Sequence, residues 1–319
     1  MNSNRVVKSF ECMNACIINH MNQAGIKITG SDIFFAGDGF PIHYKKKSLT
    51  GIFSEGFEAN FRFLKKYGID YRYGIVSPTK ENMLKFLKQP YTVTIRMVSD
   101  FLTYDRVFSQ TSGASHFINI LEYNQEKRQF FVVDGDVPSI HTGCFSGWID
   151  EADILSGWRE KRGEILQLKL VDDLSEDTFF QQVRKDANRQ VEKAVDLYLN
   201  GKKKIFTGQA HGEQAIFCMI HQLKKYINKR EFKYLVNEAN FRIRVDGYLG
   251  AKYFFLEKFR EQQKKQVAKD YQELIEGWSK WCMLLLKSGI VATAENFSFV
   301  EKRMEELIKW EKKILQRQL

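Results

Sequence analysis

The feature that most restricts the fold of this chain is a change of hydrophobic period along it. Between Tyr91 and Leu170 the apolar residues come in short β-branched and aromatic runs with a period of two: Tyr91 to Met97 (YTVTIRM), His116 to Tyr123 (HFINILEY), Gln129 to Val133 (QFFVV) and Glu164 to Leu170 (EILQLKL). The second and third runs are joined by a short polar stretch, Asn124 to Arg128, which predicts an antiparallel hairpin. Ahead of this region the spacing is helical over Cys12 to Ala24, Ser54 to Tyr67 and Thr79 to Leu87, with Gly25 and Gly68 as stops. From Asp172 onward it is helical almost throughout, in amphipathic stretches near 176–199, 211–227, 231–240, 248–264, 267–287 and 295–317. The pattern predicts an α+β domain over 1–172, helices packed on an antiparallel sheet, followed by an all-α domain over 173–319. The boundary falls near Val171 to Ser175, with Ser175 as a helix cap. A length of 319 residues suits two domains of ordinary size.

Composition narrows the function classes. Five cysteines at irregular spacing, with no C-x-x-C pair, argue against a disulfide framework and against a zinc ribbon. His211 and His221 are ten apart and neither has a partner at ligand spacing, so no metal site is expected. The first residues carry no secretion signal, and no segment reaches the roughly 18 apolar residues of a membrane span; a cytoplasmic protein with no membrane partner is the expectation. The net charge of +10 is uneven: residues 1–172 hold 21 Lys and Arg against 19 Asp and Glu, and 173–319 hold 28 against 20. Such an excess steers an acidic partner toward the second half.

One constellation carries chemistry. Cys12 falls in the first turn of a helix, where backbone dipoles favour a thiolate. A thiol nucleophile also needs a histidine held at a fixed angle by a carboxylate or amide on its other nitrogen. His116 opens one strand of the hairpin and Asp134 closes the next; because the strands are antiparallel, these ends are neighbours. Cys12 as nucleophile, His116 as base and Asp134 as its orienting group is the resulting assignment. Cys16, one turn further along, lacks the free N–H groups that a developing oxyanion would use. His20 lies two turns from Cys12, His43 is an alternative base, and Cys144 with His141 forms a rival pair.

These residues sit in segments that resemble the family of the butirosin biosynthesis protein H, whose N-terminal domain is similar to the papain-like C39 peptidases. The resembling pieces are ECMNACIINHMNQAGIKITGSDIFFAGDGF, SHFINILEY and FFVVDGD. In the C-terminal half they are FRIRVDGYLGAKYFFLEKF and ELIEGWSKWCMLLL, the helical domain that accompanies the family. The resemblance implies acyl transfer in specialised metabolite or antibiotic biosynthesis. An acyl or aminoacyl group arrives as a thioester on an acyl carrier protein or another acidic carrier, passes to Cys12, and is handed to a small-molecule amine. No cofactor of the chain's own is implied, only phosphopantetheine on the partner. Papain-like enzymes usually place a Gln before the cysteine for the oxyanion hole, and residues 5–11 here have none. The hole then rests on the Cys12 N–H and a second donor, for which Asn14 and Asn119 are candidates. Arg242 and Arg244 are candidates for contacting the carrier.

Two other readings stand beside this one. An amidase or peptidase on the same triad would use water in place of the amine. A non-catalytic binding module would use the basic helical half, with Tyr248, Tyr253, Phe254, Phe255 and Phe259 near Arg242, Arg244 and Lys252 as a stacking platform. The helical spacing of those aromatics favours core over platform, and nucleic acid is not the expected partner.

Overall fold

The computed structural model describes residues 6–40, 42–45, 52–106, 113–137, 143–169, 176–200, 209–245 and 248–318. In chain order these form α1 (Cys12–Gln23), α2 (Gly30–Ala36), β1 (His43–Lys45), β2 (Ile52–Phe53), α3 (Gly56–Lys66), β3 (Asp70–Ile75), α4 (Lys80–Leu87), β4 (Val93–Val98), β5 (Ser115–Asn124), β6 (Gln129–Asp134), β7 (Phe145–Asp150), α5 (Glu151–Glu160) and β8 (Glu164–Lys169). Then follow α6 (Glu176–Asn200), β9 (Gln209–His211), α7 (Glu213–Lys224), α8 (Phe232–Val245), α9 (Tyr248–Glu261), α10 (Lys265–Ile290) and α11 (Ala294–Gln316). The fold is α+β. Two compact units divide the chain: Met1–Ile33 with Asn60–Val183, and Phe34–Ala59 with Arg184–Leu319. The sequence boundary at 172/173, with its Ser175 cap, lies outside the described residues.

The first unit is built on a six-stranded sheet in the order β3-β8-β4-β5-β6-β7, every neighbouring pair antiparallel. Alternation along the strands sorts its two faces. Ile95, Met97, Ile118, Ile120, Phe130 and Val132 point into a core closed by Ile154 and Trp158 of α5 and Met83 of α4. The intervening residues Thr94 and Asn119 hydrogen-bond toward α1, through His20 and the Cys16 carbonyl. Gly157 lets α5 lie close to the sheet, since a Cβ there would displace the flexible end of Met97 and stand 3.3 Å from Met97 Cβ and Phe101 Cβ. The hairpin expected over 116–133 is β5 and β6, paired Asn119↔Val133, with a bulge between Ile120 and Glu122.

Three elements of this unit lack a clear signature in the sequence reading. β3 (DYRYGI) is mostly exposed and does not alternate, β7 (FSGWID) is interrupted by Gly147, and α5 follows β7 with no intervening residue.

The second unit is mainly helical. Its core holds Tyr248, Phe254, Phe255, Phe259, Tyr271, Trp278 and Trp281, all buried. Four of the five aromatics considered as a stacking platform are therefore core, and the fifth, Tyr253, is half-buried. The region is not purely helical, because β9 pairs with β1 and β1 with β2 in a small antiparallel sheet. Strands of two or three residues are too short to leave a period in the sequence. Among the described residues, no helix is long and apolar enough to cross a membrane.

Candidate active site

The site lies within the first unit, where the start of α1 meets the ends of β5 and β6. Cys12 is the first residue of α1 and is partly exposed. Its position is set by the residue before it: Glu11 caps the helix, its carboxylate accepting from the Met13 and Asn14 amides at 3.0 and 2.7 Å. Glutamate is not a usual N-cap. Here Asn60 Nδ2 steadies it by donating to Oε2 at 2.8 Å. The cap does not use the Cys12 N–H, and leaves it for a ligand at the helix N-terminus.

The chain leading into Cys12 is fixed against β6 by a small clamp. Asn19 holds the Val7 backbone at both ends, Oδ1 accepting from Val7 N and Nδ2 donating to Val7 O, each at 2.8 Å. Ser9 N donates to Gly135 O at 2.9 Å. This approach explains the glycine of the Asp134-Gly135-Asp136 motif: a Cβ at position 135 would stand 2.3 Å from Val7 O and 2.7 Å from Asn19 Nδ2.

The imidazole and its partner are brought together by the hairpin. Extending the register Asn119↔Val133 by one step sets Asp134 opposite Ile118, so His116 reaches it diagonally on the same face. His116 Nε2 and Asp134 Oδ2 are 2.8 Å apart, both residues buried. The carboxylate is further held by Tyr104, whose hydroxyl donates to Oδ2 at 2.6 Å, and by the Asp136 amide, which donates to Oδ1 at 2.9 Å. Tyr104 is itself stacked on Phe145, ring centroids 3.8 Å apart. With Nε2 committed to Asp134, Nδ1 is the nitrogen left to face the thiol. The Cys12 sulfur, a His116 ring nitrogen and a carboxylate oxygen of Asp136 all lie within 4.8 Å of one another.

The electrostatics of the cluster are mixed. Burial pushes the Cys12 thiol up, the His116 hydrogen bond and charge pull it down, and the Glu11 and Asp136 carboxylates add to the rise. For His116, burial disfavours the charged ring, but the charge and hydrogen bond of Asp134, with Cys12 adding to them, hold its pKa well above the ordinary value. Burial and the neighbouring Asp134 and Glu11 raise Asp136 to about 7, against the opposing pull of His116. The arrangement sets a ring whose charged form Asp134 favours beside a sulfur whose ionisation is opposed by burial and two carboxylates and favoured by the ring.

The other sequence candidates take different places. Cys16 is buried, and burial and Asp134 push its thiol far up. His20 is buried with Nε2 3.0 Å from Thr94 Oγ1, and burial lowers its pKa to about 3; it is a neutral part of the interior. His43 stands in β1 of the second unit. His141 lies outside the described residues, so its pairing with Cys144 is not described. Asn119 spends its amide on the scaffold, Nδ2 donating to Cys16 O at 3.0 Å and Oδ1 accepting from Thr94 Oγ1 at 2.7 Å. Asn14 accepts from Ser9 Oγ at 2.6 Å and donates to Gly30 O at 3.2 Å. Neither amide is directed at the thiol. Arg242 and Arg244 lie on α8 in the second unit; Arg242 Nη2 is 3.7 Å from Glu238 Oε1, and Arg244 is exposed.

Four residues of the site escaped the sequence reading: Glu11, Asn60, Tyr104 and Asp136. The D-G-D motif marked the last of them, since a glycine flanked by two acids at a strand end signals a close backbone approach. Nothing in the local sequence marks Tyr104. No protein-family model matches the chain, and no curated protein matches its sequence.

Proposed function

We propose that this chain is a cysteine-dependent acyl-transfer enzyme on a papain-like first domain. The observation that carries the reading is the 2.8 Å contact between His116 Nε2 and Asp134 Oδ2, made beside a partly exposed cysteine at a helix N-terminus. Buried His–Asp pairs also occur as scaffold; what favours chemistry here is that the same ring also bonds the Cys12 thiol.

In this reading the Cys12 thiolate attacks the carbonyl carbon of a thioester. The Cys12 N–H donates to the oxyanion, and the departing carrier thiol takes its proton from His116. The acyl group then sits on the Cys12 sulfur. An amine attacks the same carbon, His116 Nδ1 removes its proton, and the Cys12 sulfur leaves. Asp134 keeps Nε2–H engaged throughout and so fixes the ring's tautomer and angle. The Glu11 and Asp136 carboxylates near the sulfur attract an acceptor as its ammonium ion, which gives one proton to solvent before the free amine attacks. An acidic acyl carrier protein as donor fits the excess of positive charge after residue 172, with the exposed Arg244 a contact candidate.

Incubation with an acyl thioester and a panel of amines, read by product mass, tests the reading. Cys12→Ala should lose roughly 10⁴-fold or more in turnover, as loss of a nucleophile does in triad enzymes. Release of free acid alone would replace transfer by hydrolysis on the same residues. Turnover of Cys12→Ala equal to that of the parent would end the enzymatic reading.

A further inference from the structure

We infer that Cys12, His116 and Asp136 form a binding site for a single zinc-like divalent cation, which occupies the nucleophile. The three residues are far apart in sequence, so no ligand spacing announces them, yet their donor atoms converge within 4.8 Å. A tetrahedral zinc ion bound through sulfur, imidazole nitrogen and carboxylate oxygen sets its donors roughly 3.3–3.8 Å apart. The convergence therefore asks only for small side-chain rotations about a fixed backbone. The set of one soft, one intermediate and one hard donor suits zinc, and not magnesium or calcium, which take oxygen ligands.

A second observation, on atoms other than the three donors, points the same way. Metal-bound histidines almost always donate their other ring N–H to a carboxylate or carbonyl, which fixes the tautomer and strengthens the donor. His116 already does this through Nε2 to Asp134, and Asp134 is held in turn by Tyr104 and the Asp136 amide. The Asp136 side chain makes or breaks no bond in the acyl-transfer steps; its amide, not its carboxylate, supports Asp134. Glu11 stands 3.8 Å from the sulfur but both its oxygens serve the helix cap, so the fourth position is left to water. Binding would release the thiol proton and the Nδ1 proton to solvent.

The site rests on this geometry alone; its consequence, reversible exclusion of the acyl donor, rests on the acyl-transfer reading. The experiment separates the two by measuring binding without turnover. The full-length chain, freed of any affinity tag, is titrated with cobalt(II) and then with zinc against a chromophoric chelator. One equivalent of cobalt should produce a thiolate-to-metal charge-transfer band, and zinc should displace it and protect Cys12 from iodoacetamide. Asp136→Asn should weaken zinc by at least about 10-fold, on the scale of losses seen when groups around a metal are removed. The cobalt band in the unaltered protein needs no variant to fold. Its absence, full-rate alkylation of Cys12 under saturating zinc, or equal affinity in a folded Asp136→Asn protein would each overturn the site.

Discussion

Two clusters of buried charge, one in each unit, differ in what they leave unfinished. In the second unit Lys252 and Glu311 are each about 2% exposed, and Lys252 Nζ donates to both carboxylate oxygens at 2.6 and 2.7 Å. The same carboxylate accepts from the Tyr198 and Tyr271 hydroxyls, both at 2.9 Å. The ammonium lies 4.2 Å from the centre of the Tyr248 ring. The bonds made by the pair all lie inside the protein, and neither side chain offers more than a trace of surface to solvent. The Cys12 cluster is buried on the side of His116 and Asp134, but it keeps a partly exposed cysteine, a half-buried Asp136 and an uncommitted backbone N–H. Burial of charge is common to both, so it does not identify a reactive site. Bonding capacity left over at an accessible atom does.

The sharpest break of this comparison is Lys252→Met. If the second cluster is closed and structural, the substitution strands the Glu311 carboxylate in the core at a cost of about 3–5 kcal/mol. Urea unfolding followed by the fluorescence of Trp278 and Trp281 would measure it. The double variant Lys252→Met with Glu311→Gln removes the stranded charge yet leaves a carbonyl for the two tyrosines, so it should be more stable than the single variant. A single variant within about 1 kcal/mol of the parent would mean the pair is not the tightly compensated network described.

On the side of the reactive cluster, Gly135→Ala tests whether the clamp positions the sulfur. The added methyl meets the Val7 carbonyl oxygen, which cannot rotate away, so the segment 7–9 must move at an expected cost of about 1–3 kcal/mol. Because that segment leads into Cys12, alkylation of Cys12 at neutral pH should slow in the folded variant. Unchanged labelling would mean the α1 terminus is set by the Glu11 cap without help from β6.

The contrast also explains which parts of the molecule were legible in the sequence. The hairpin of β5 and β6 was readable because its strands are runs of β-branched and aromatic residues joined by a polar turn, and the ends of an antiparallel pair are neighbours by geometry. That one inference sets His116 beside Asp134 without any knowledge of the rest of the sheet. The ends of α1 were readable from Cys12 and Gly25. The edge strand β3 was not, since an exposed strand has no buried face to print a period on the chain; in β7 Gly147 breaks the apolar run between Phe145 and Ile149. The 34–59 segment could not be assigned to the second unit, because Phe34 stacking on Phe254 with centroids 4.4 Å apart is a long-range event with no local trace. Tyr104 and Asn60 belong to the same class. Each is placed by tertiary packing, and each acts on a site residue that the sequence did identify.

The smallest expected effect compares two buried histidines among the described residues of the first unit, which respond to acidification in opposite ways. His20 is held neutral, its pKa lowered from 6.5 to about 3 by burial. In the unfolded chain it takes up a proton below about 6.5, so the unfolded state binds more protons as pH falls, and stability drops with it. Between pH 6.5 and 5 the loss from this one group is at most about 2 kcal/mol. His116 has the other sign: its pKa is raised in the fold, so its contribution is fully present below 6.5 and fades only as pH rises through its folded value. The two act in adjoining windows and can be read separately. His20→Gln keeps an amide for Thr94 Oγ1 but cannot titrate, and it should flatten the acid limb of the unfolding midpoint against pH while leaving the limb above 6.5 unchanged. An acid limb equally steep in the variant would place the proton uptake elsewhere and remove His20 as the group that limits this unit at low pH.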